Sequence, residues 1–225
     1  MDLNEAIRAR HSVRSYLDQQ PGEEVLSLIR SFLEECNRES GLHMQLITGE
    51  EKAFSGFLAH YGLFSGVKNY IALVGPKTDG LEEKCGWQGE KAVLFLQQLG
   101  LNTCWVAGTY RKVPQALDIR PGEKLVCVIA LGYGKTQGHT RRSKTVRDVA
   151  GPGEHPEWFL RGVEAALLAP TAINQQRFRI LREGTKVEIR AGFGPCARID
   201  LGIVKCHFEI GAGRENFEWS GENSL

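Results

Sequence analysis

The sequence predicts an α+β fold with a mixed sheet, and three observations carry that reading. Helical and strand patterns interleave without the strict strand–helix–strand rhythm of a doubly wound domain. No strand is followed by Gly-x-Gly-x-x-Gly, so a Rossmann dinucleotide site is not expected, and Gly-x-x-x-x-Gly-Lys-Ser/Thr is also missing. A breaker-rich stretch, Gly151-Pro152-Gly153-Glu154-His155-Pro156, precedes a fresh helix–hairpin–helix pattern. The chain therefore reads as a larger part, 1–150, and a smaller part, 151–225.

The elements follow in order. Leu3, Ala6 and Ile7 form a short helical stripe, and Asp2 and Glu5 suit its capped start. Val25, Leu26, Leu28, Ile29, Phe32, Leu33 and Cys36 recur at helical spacing and predict a helix over 22–36. A strand is expected over 44–48, a helix over 51–60 and a buried strand over 70–74. A longer helix over 80–99 should stop at Gly100, a residue suited to a left-handed helix end. Apolar strands follow over 102–106 and 125–131, the second ending in the turn Gly132-Tyr133-Gly134. The smaller part reads as a helix over 157–168, strands over 178–182 and 187–190 joined at Glu183-Gly184, and a helix over 195–209. The tail, 217–225, is polar and is read as either loose or docked.

Composition excludes several function classes. Lysine and arginine total 28 against 27 acidic residues, a formal charge of +1, so no general pull toward nucleic acid or an anionic membrane exists. Any anion site must be a local concentration of charge. Six cysteines, at 36, 85, 104, 127, 196 and 206, form no Cys-x-x-Cys pair and no zinc spacing. No signal-peptide pattern or membrane-length apolar run is visible, so a reduced, cytoplasmic protein is expected.

Three constellations carry chemistry. Arg10-His11-Ser12-Val13-Arg14 gathers two guanidiniums, an imidazole and a hydroxyl just past the first helix. Forked guanidiniums bind phosphate oxygens bidentately, so this cluster suits a phosphate monoester. A helix carboxyl end repels anions, so the arginines themselves must supply the attraction. Ala169-Pro170-Thr171-Ala172-Ile173-Asn174-Gln175-Gln176 ends an apolar helix before a strand. Its small residues would let backbone approach a flat ring, with Asn174 bonding the ring edge. Gly100-Leu101-Asn102-Thr103-Cys104-Trp105-Val106-Ala107-Gly108 ends a strand in Ala-Gly, where main-chain N–H groups can face a ligand. Taken singly, the first is a solvated basic turn, the second a polar loop and Trp105 a core residue; Trp87 and Trp158 also read as core. His43, His60 and His207 read as structural or exposed rather than catalytic.

Together the three resemble one family. Arg10-His11-Ser12-Val13-Arg14-Ser15-Tyr16 resembles the opening Arg-x-Ser-x-Arg-x-aromatic signature of the FMN-dependent nitroreductases. Residues 99–108 look like that family's Gly-Leu-Gly-Thr-Cys-Trp stretch, and 125–134 like the strand that follows it. The resemblance implies a nitroreductase-like α/β/α sandwich with a mixed, mainly antiparallel central sheet. It departs from ordinary members in one place. Their Pro-Ser-x-x-Asn-x-Gln-Pro stretch is missing between residues 21 and 41, whereas Pro170-Thr171-Ala172-Ile173-Asn174-Gln175 lies beyond the linker. The chain thus resembles a divergent branch whose unequal halves imitate the usual dimer, with FMN between 1–150 and 151–225. It would act as a monomer of this kind, or as a homodimer.

The resemblance also implies roles. Arg10, Ser12 and Arg14 would hold the phosphate, ribityl chain and pyrimidine edge, with His11 acting mainly through its backbone. Arg141 and Arg142 resemble the family's second basic pair. Ala107 or Gly108 N–H would face flavin N5, and Pro170, Thr171, Ala172 and Asn174 would cover the ring, with Trp105 nearby. The implied activity is ping-pong hydride transfer from NADH or NADPH to a nitroaromatic, quinone or similar flat small-molecule acceptor, with no catalytic side chain and no metal. Alternatives are a same-fold dehalogenase, enoate reductase or flavin-degrading enzyme, and a flavin-storage protein without turnover.

Overall fold

The computed structural model describes residues 1–57 and 61–220. It contains two compact units, one of Met1–Arg8, Glu82–Glu90 and Arg141–Leu225, the other of Ala9–Leu81 and Lys91–Thr140. Among the described residues the elements are α1 (Leu3–Ala9), α2 (Glu23–Ser40), β1 (Gln45–Ile47), β2 (Asn69–Pro76), α3 (Leu81–Gln98), β3 (Asn102–Val106), β4 (Glu123–Gly132), α4 (Val146–Ala150), α5 (Glu157–Leu167), β5 (Phe178–Glu183), β6 (Lys186–Ala191), α6 (Ala197–Ala212) and β7 (Glu218–Trp219). The α+β class stands, with helices set against antiparallel-rich sheets.

The second unit is built on a four-stranded sheet of order β1-β2-β4-β3, antiparallel throughout. Residues 69–75 of β2 are all buried, as befits a strand covered on both faces. A register shift between Leu73 and Val74 marks a bulge against β4. Past α1 the chain runs extended beside β3, where Ser12 bridges Thr103 in parallel and gives the sheet its mixed character. Leu26, Ile29, Leu33 and Cys36 line the buried face of α2, and Phe32 stacks on Phe95 at 4.3 Å between ring centres. The helix continues past Cys36 to Ser40 because Ser40 Oγ donates to Cys36 O and Gly41 takes φ 70°, a left-handed cap.

The helix expected over 51–60 is described only in part, and its first turns differ from the expectation. Over 51–60, residues Lys52–Phe54 form a single 3-10 turn, and 58–60 lie outside the described residues. Glu50 drives this locally: its carboxylate accepts from Lys52 N and Ala53 N. Phe54 then packs edge-on to Phe64 and Tyr70.

In the first unit, β5 and β6 form an antiparallel hairpin and β7 adds in parallel to β6. The polar tail is docked here: Trp219 meets Phe217, Phe208 and Trp87 in an aromatic cluster, and Trp158 stacks on Phe217. Residues 221–225 lie outside the described residues. Helices α5 and α6 pack closely, since a Cβ on Gly162 would meet Phe208 Cε2 at 2.7 Å and one on Gly211 would meet Ala165 Cβ at 2.5 Å. Among the described residues no helix is long and apolar enough to cross a membrane.

Candidate functional site

In the second unit, the amino-terminal cluster sits where the sequence placed it. Helix α1 begins on a reciprocal cap, Asp2 N donating to Glu5 Oε2 and Glu5 N to Asp2 Oδ1. It ends at Ala9, and extended backbone follows. Alternation in an extended segment puts Arg10, Ser12 and Arg14 on one face and His11 and Val13 on the other. The second group is located by Gly138, where a Cβ would meet His11 Cβ at 2.5 Å and Val13 Cγ2 at 3.5 Å.

The first group converges on Cys104 of β3. Burial dominates that thiol and raises its pKa above 9.0, while Arg14, a hydrogen bond from Ser12 and Arg10 pull it the other way. The sulfur is therefore neutral at pH 7, and the arginines face no charge on it. Among the described residues no carboxylate pairs with Arg14, whose guanidinium lies 6.0 Å from the centre of the Phe64 ring. The backbone beneath is fixed: Val13 N donates to Thr103 O, Tyr16 N to Ser65 O, and the Tyr16 hydroxyl to Val13 O at 2.7 Å. Strand β3 ends at Val106, so Ala107 and Gly108 follow in an exposed bend, and nothing lies within 4 Å of where a Gly108 Cβ would be. Trp105 is half-buried on β3.

In the first unit, the loop after α5 is strained. Ile173, Asn174 and Gln176 have φ of 47°, 54° and 44°, a left-handed conformation that a β-branched residue adopts at particular cost. Surrounding groups hold it there. Ala172 N donates to Asp200 Oδ1 at 2.9 Å and Gln175 Nε2 to Asp200 Oδ2 at 2.7 Å. Gln176 is buried: its N–H donates to Thr171 Oγ1, its Nε2 to Leu167 O, and its Oε1 accepts from Lys144 N. Pro170 and Thr171 are buried beneath the loop and Ala172 is half-buried. Asn174 Nδ2 donates to Arg142 O at 2.8 Å, yet its Oδ1 is buried with no partner among the described residues. Arg141 donates to Leu168 O and Ala169 O, so its guanidinium closes the carboxyl end of α5.

Sequence reasoning missed Cys104, Asp200, Lys144 and Gln176 as the groups that organise these two places. An acid in the first turn of α6 was the one available signal for Asp200. Burial raises the Asp200 pKa above the ordinary 3.8, with Gln175 and Ala172 N opposing. An acid with a raised folded pKa binds protons more readily folded than unfolded, so its contribution to stability falls as pH rises from 3.8 through the folded value. Asp200→Asn should flatten that part of a plot of unfolding free energy against pH; an unchanged slope would refute the assignment.

His207 is fully buried, bonded to Ala165 O and Glu90 Oε1, and His43 is bonded to Glu123. His60 lies outside the described residues. Among the described residues no group of three or more His, Cys, Asp or Glu is arranged to hold a metal.

The family described as "Putative TM nitroreductase" matches residues 2–212. The chain belongs to this nitroreductase family. Among solved structures, this nitroreductase-family chain is similar to a "putative nitroreductase" of Thermotoga maritima MSB8, with 26% identity and a TM-score of 0.68 over 100% of this chain and 91% of that one. A "putative nitroreductase in complex with FMN" from Desulfovibrio desulfuricans shares the fold at 20% identity and a TM-score of 0.56, covering 69% of this chain and 99% of that one. A nitroreductase family protein of Streptococcus pneumoniae TIGR4 does so at 13% and 0.52, covering 66% and 98%. No curated protein matches the chain.

Proposed function

We propose that the chain is an FMN-dependent oxidoreductase that passes hydride from NADH or NADPH to a small-molecule acceptor such as a nitroaromatic or quinone. The observation that carries this reading is the face shared by Arg10, Ser12 and Arg14 over a neutral thiol. Such a face calls for an anion rich in oxygen acceptors, and a phosphate monoester fits. Asn174 Oδ1 supports the same cofactor, because a buried acceptor without a donor suits the N–H edge of a flavin ring. The fold is shared with a Desulfovibrio protein solved with FMN, which agrees with this.

FMN, when bound, supplies the two-electron relay between the nicotinamide donor and the acceptor. The chain's own residues bind and orient it. Arg10 and Ser12 take the phosphate and ribityl chain, and Arg14 takes the pyrimidine edge, where its charge favours the reduced, more anionic ring. Ala107 and Gly108 offer backbone N–H groups from an exposed bend. By the family resemblance Pro170, Thr171, Ala172 and Asn174 would cover the ring, and their own backbone is pinned through Asp200 and Arg142 O. Arg142 contributes its carbonyl to Asn174, and Arg141 braces the loop.

The test is the visible spectrum of protein reconstituted with FMN, before and after anaerobic NADH or NADPH. A bound flavin band that bleaches supports the proposal. A protein that takes up no FMN, or a yellow one that neither nucleotide bleaches, overturns it. The variant Asn174→Ala should weaken FMN binding by about 5–10-fold, the usual worth of one buried hydrogen bond. Unaltered affinity would remove Asn174 from the site and leave the arginine cluster standing.

A further inference from the structure

Within the second unit two clefts join at the outer end of β1. The first, of about 630 Å³, runs beside Leu46, Ile47, Glu51 and Ala116. The second, of about 620 Å³, is lined by Arg111, Lys112, Val113 and Pro114. Glu50, Lys52 and Ala116 belong to both. Their charge differs. In the second cleft Lys52, Arg111 and Lys112 stand exposed, and among the described residues no carboxylate pairs with them. Glu50 shares that cleft, but its carboxylate is taken by Lys52 N at 2.8 Å and Ala53 N at 2.7 Å. In the first cleft Glu51 is balanced by Lys68 at 2.8 Å. The backbone that carries the cations is anchored. Ala53 and Phe54 are buried beside Lys52, and Tyr110 and Val113 are buried on either side of Arg111 and Lys112. Arg111 N donates to Ala53 O at 2.8 Å and joins the two segments. Three like charges on a joined frame repel one another, and a bound polyanion removes that cost.

The first cleft offers a different chemistry. Strand β1 is an edge strand, paired only with β2. His43 N donates to Val74 O, and Gln45 and Ile47 continue that register opposite Ala72 and Tyr70, so odd-numbered residues bond inward and even-numbered ones face out. Met44 meets Asn37, which accepts from Met44 N and donates to Met44 O. Leu46 keeps an outward N–H and C=O that no described residue meets. A donor and an acceptor side by side complement the ring nitrogen and amino group on the pairing edge of adenine. Ile47 and Ala116 are half-buried and give a flat ring an apolar wall. We infer that the joined clefts bind an adenine nucleotide, its base against Ile47 and Ala116 with Leu46 at the ring edge, its phosphates on Lys52, Arg111 and Lys112. Fork and ammonium groups together suit vicinal phosphates, and clefts of this volume suit a ligand of that size. The place is distinct from the Arg10–Arg14 face. Strand order sets β1 three strands from β3, which carries Cys104, roughly 14 Å across the sheet.

The experiment titrates the full chain with ADP, inorganic pyrophosphate and N6,N6-dimethyl-ADP by calorimetry, with and without saturating FMN. Arg111→Ala and Lys112→Ala should each weaken ADP binding by about 10-fold, the worth of one charge-assisted contact in a half-open cleft. Both side chains are exposed, so the fold survives, which an unchanged melting temperature verifies. Pyrophosphate should bind about 10-fold more weakly than ADP because it lacks the base, and the dimethyl analogue about 5-fold more weakly because its amino group no longer donates. Saturating FMN and the variant Arg14→Ala should leave ADP affinity as it was. Competition between ADP and NADH, which carries the same ADP group, assigns the cleft to the dinucleotide; no competition assigns it to the free nucleotide. Wild-type protein that binds no ADP overturns the inference. So do alanine variants that bind ADP like the wild type, pyrophosphate that binds as tightly as ADP, and ADP that is displaced by FMN or lost in Arg14→Ala. None of these results touches the flavin reading, which the bleaching test decides by itself.

Discussion

Arg14→Ala is expected to weaken FMN binding by about one to two orders of magnitude, the largest effect of any single side-chain truncation in the cluster. The reasoning starts from what Arg14 lacks. Among the described residues no carboxylate pairs with it, and the nearby Cys104 thiol is held neutral by burial. Its charge is therefore uncommitted to the fold. A charge-assisted hydrogen bond contributes about 1.5–3 kcal/mol, and an arginine fork makes one or two. Removing it should also lower the flavin's reduction potential, since negative charge on the reduced ring loses a counter-charge. The fold should barely notice, because Arg14 meets the Phe64 ring only at 6.0 Å. Arg14→Lys separates charge from geometry: it keeps the cation and loses the planar fork, so its affinity should fall between the two. Flavin fluorescence titration reads the affinity, and dye-equilibrated anaerobic reduction reads the potential. Wild-type binding in the alanine variant would defeat the assignment.

Where local pattern decides structure, the sequence was readable. The strand over 102–106 matches β3 residue for residue, and the apolar runs of β2 and β4 were found with their ends short by one or two positions. Gly100, at φ 78°, stops the chain after α3 as its type suggested. Two features escaped for opposite reasons. Helix α4 is only five residues long, too short for periodicity, and its real signal is the capping box in which Thr145 Oγ1 accepts from Asp148 N and Asp148 accepts from Thr145 N. The tail could not be decided between loose and docked, because Phe217 and Trp219 are only two aromatic positions. Their partners Trp87, Trp158 and Phe208 are distant in sequence, and only the fold gathers them.

The candidate site divides in the same way. The Arg10-to-Arg14 cluster could be read as a local concentration of charge just past a short helix, and its roles through the family signature, because both need no tertiary knowledge. The target of that cluster, Cys104, could not, since its relevance lies in a parallel bridge between Ser12 and Thr103. Nor could the left-handed Ile173, Asn174 and Gln176, because Ile and Gln rarely adopt that conformation and Asn tolerates it without demanding it. They are held by Asp200 from another helix.

The largest expected loss of stability comes from Gly202→Ala, in the first unit. A Cβ at 202 would lie 1.9 Å from Glu83 O and 2.7 Å from Trp87 N, and one at 86 would lie 2.1 Å from Ile199 O. These are backbone atoms of facing helices, so no side chain can swing aside and α3 and α6 must separate. Separation strains two buried links that span the same contact. Lys205 Nζ reaches Glu83 Oε1, with both side chains under a tenth exposed. His207 Nε2 reaches Glu90 Oε1 at 2.8 Å, with neither exposed at all. Ala165 O only accepts, so His207 Nδ1 must be a donor and the imidazole is fixed at both ends. Opening a buried charged pair leaves its members unsatisfied and costs about 3–5 kcal/mol, and backbone overlap adds about 1–3 kcal/mol more. A melting temperature lower by roughly 10–30 °C should result. Gly22→Ala is the contrast, with nothing within 4 Å of the new methyl and φ of −62°, and should shift it little. Lys205→Met shows which contribution dominates. If the glycine overlap is the main one, Lys205→Met will fall well short of the loss in Gly202→Ala. If both variants melt like the wild type, these helices do not meet as closely as Gly86 and Gly202 require.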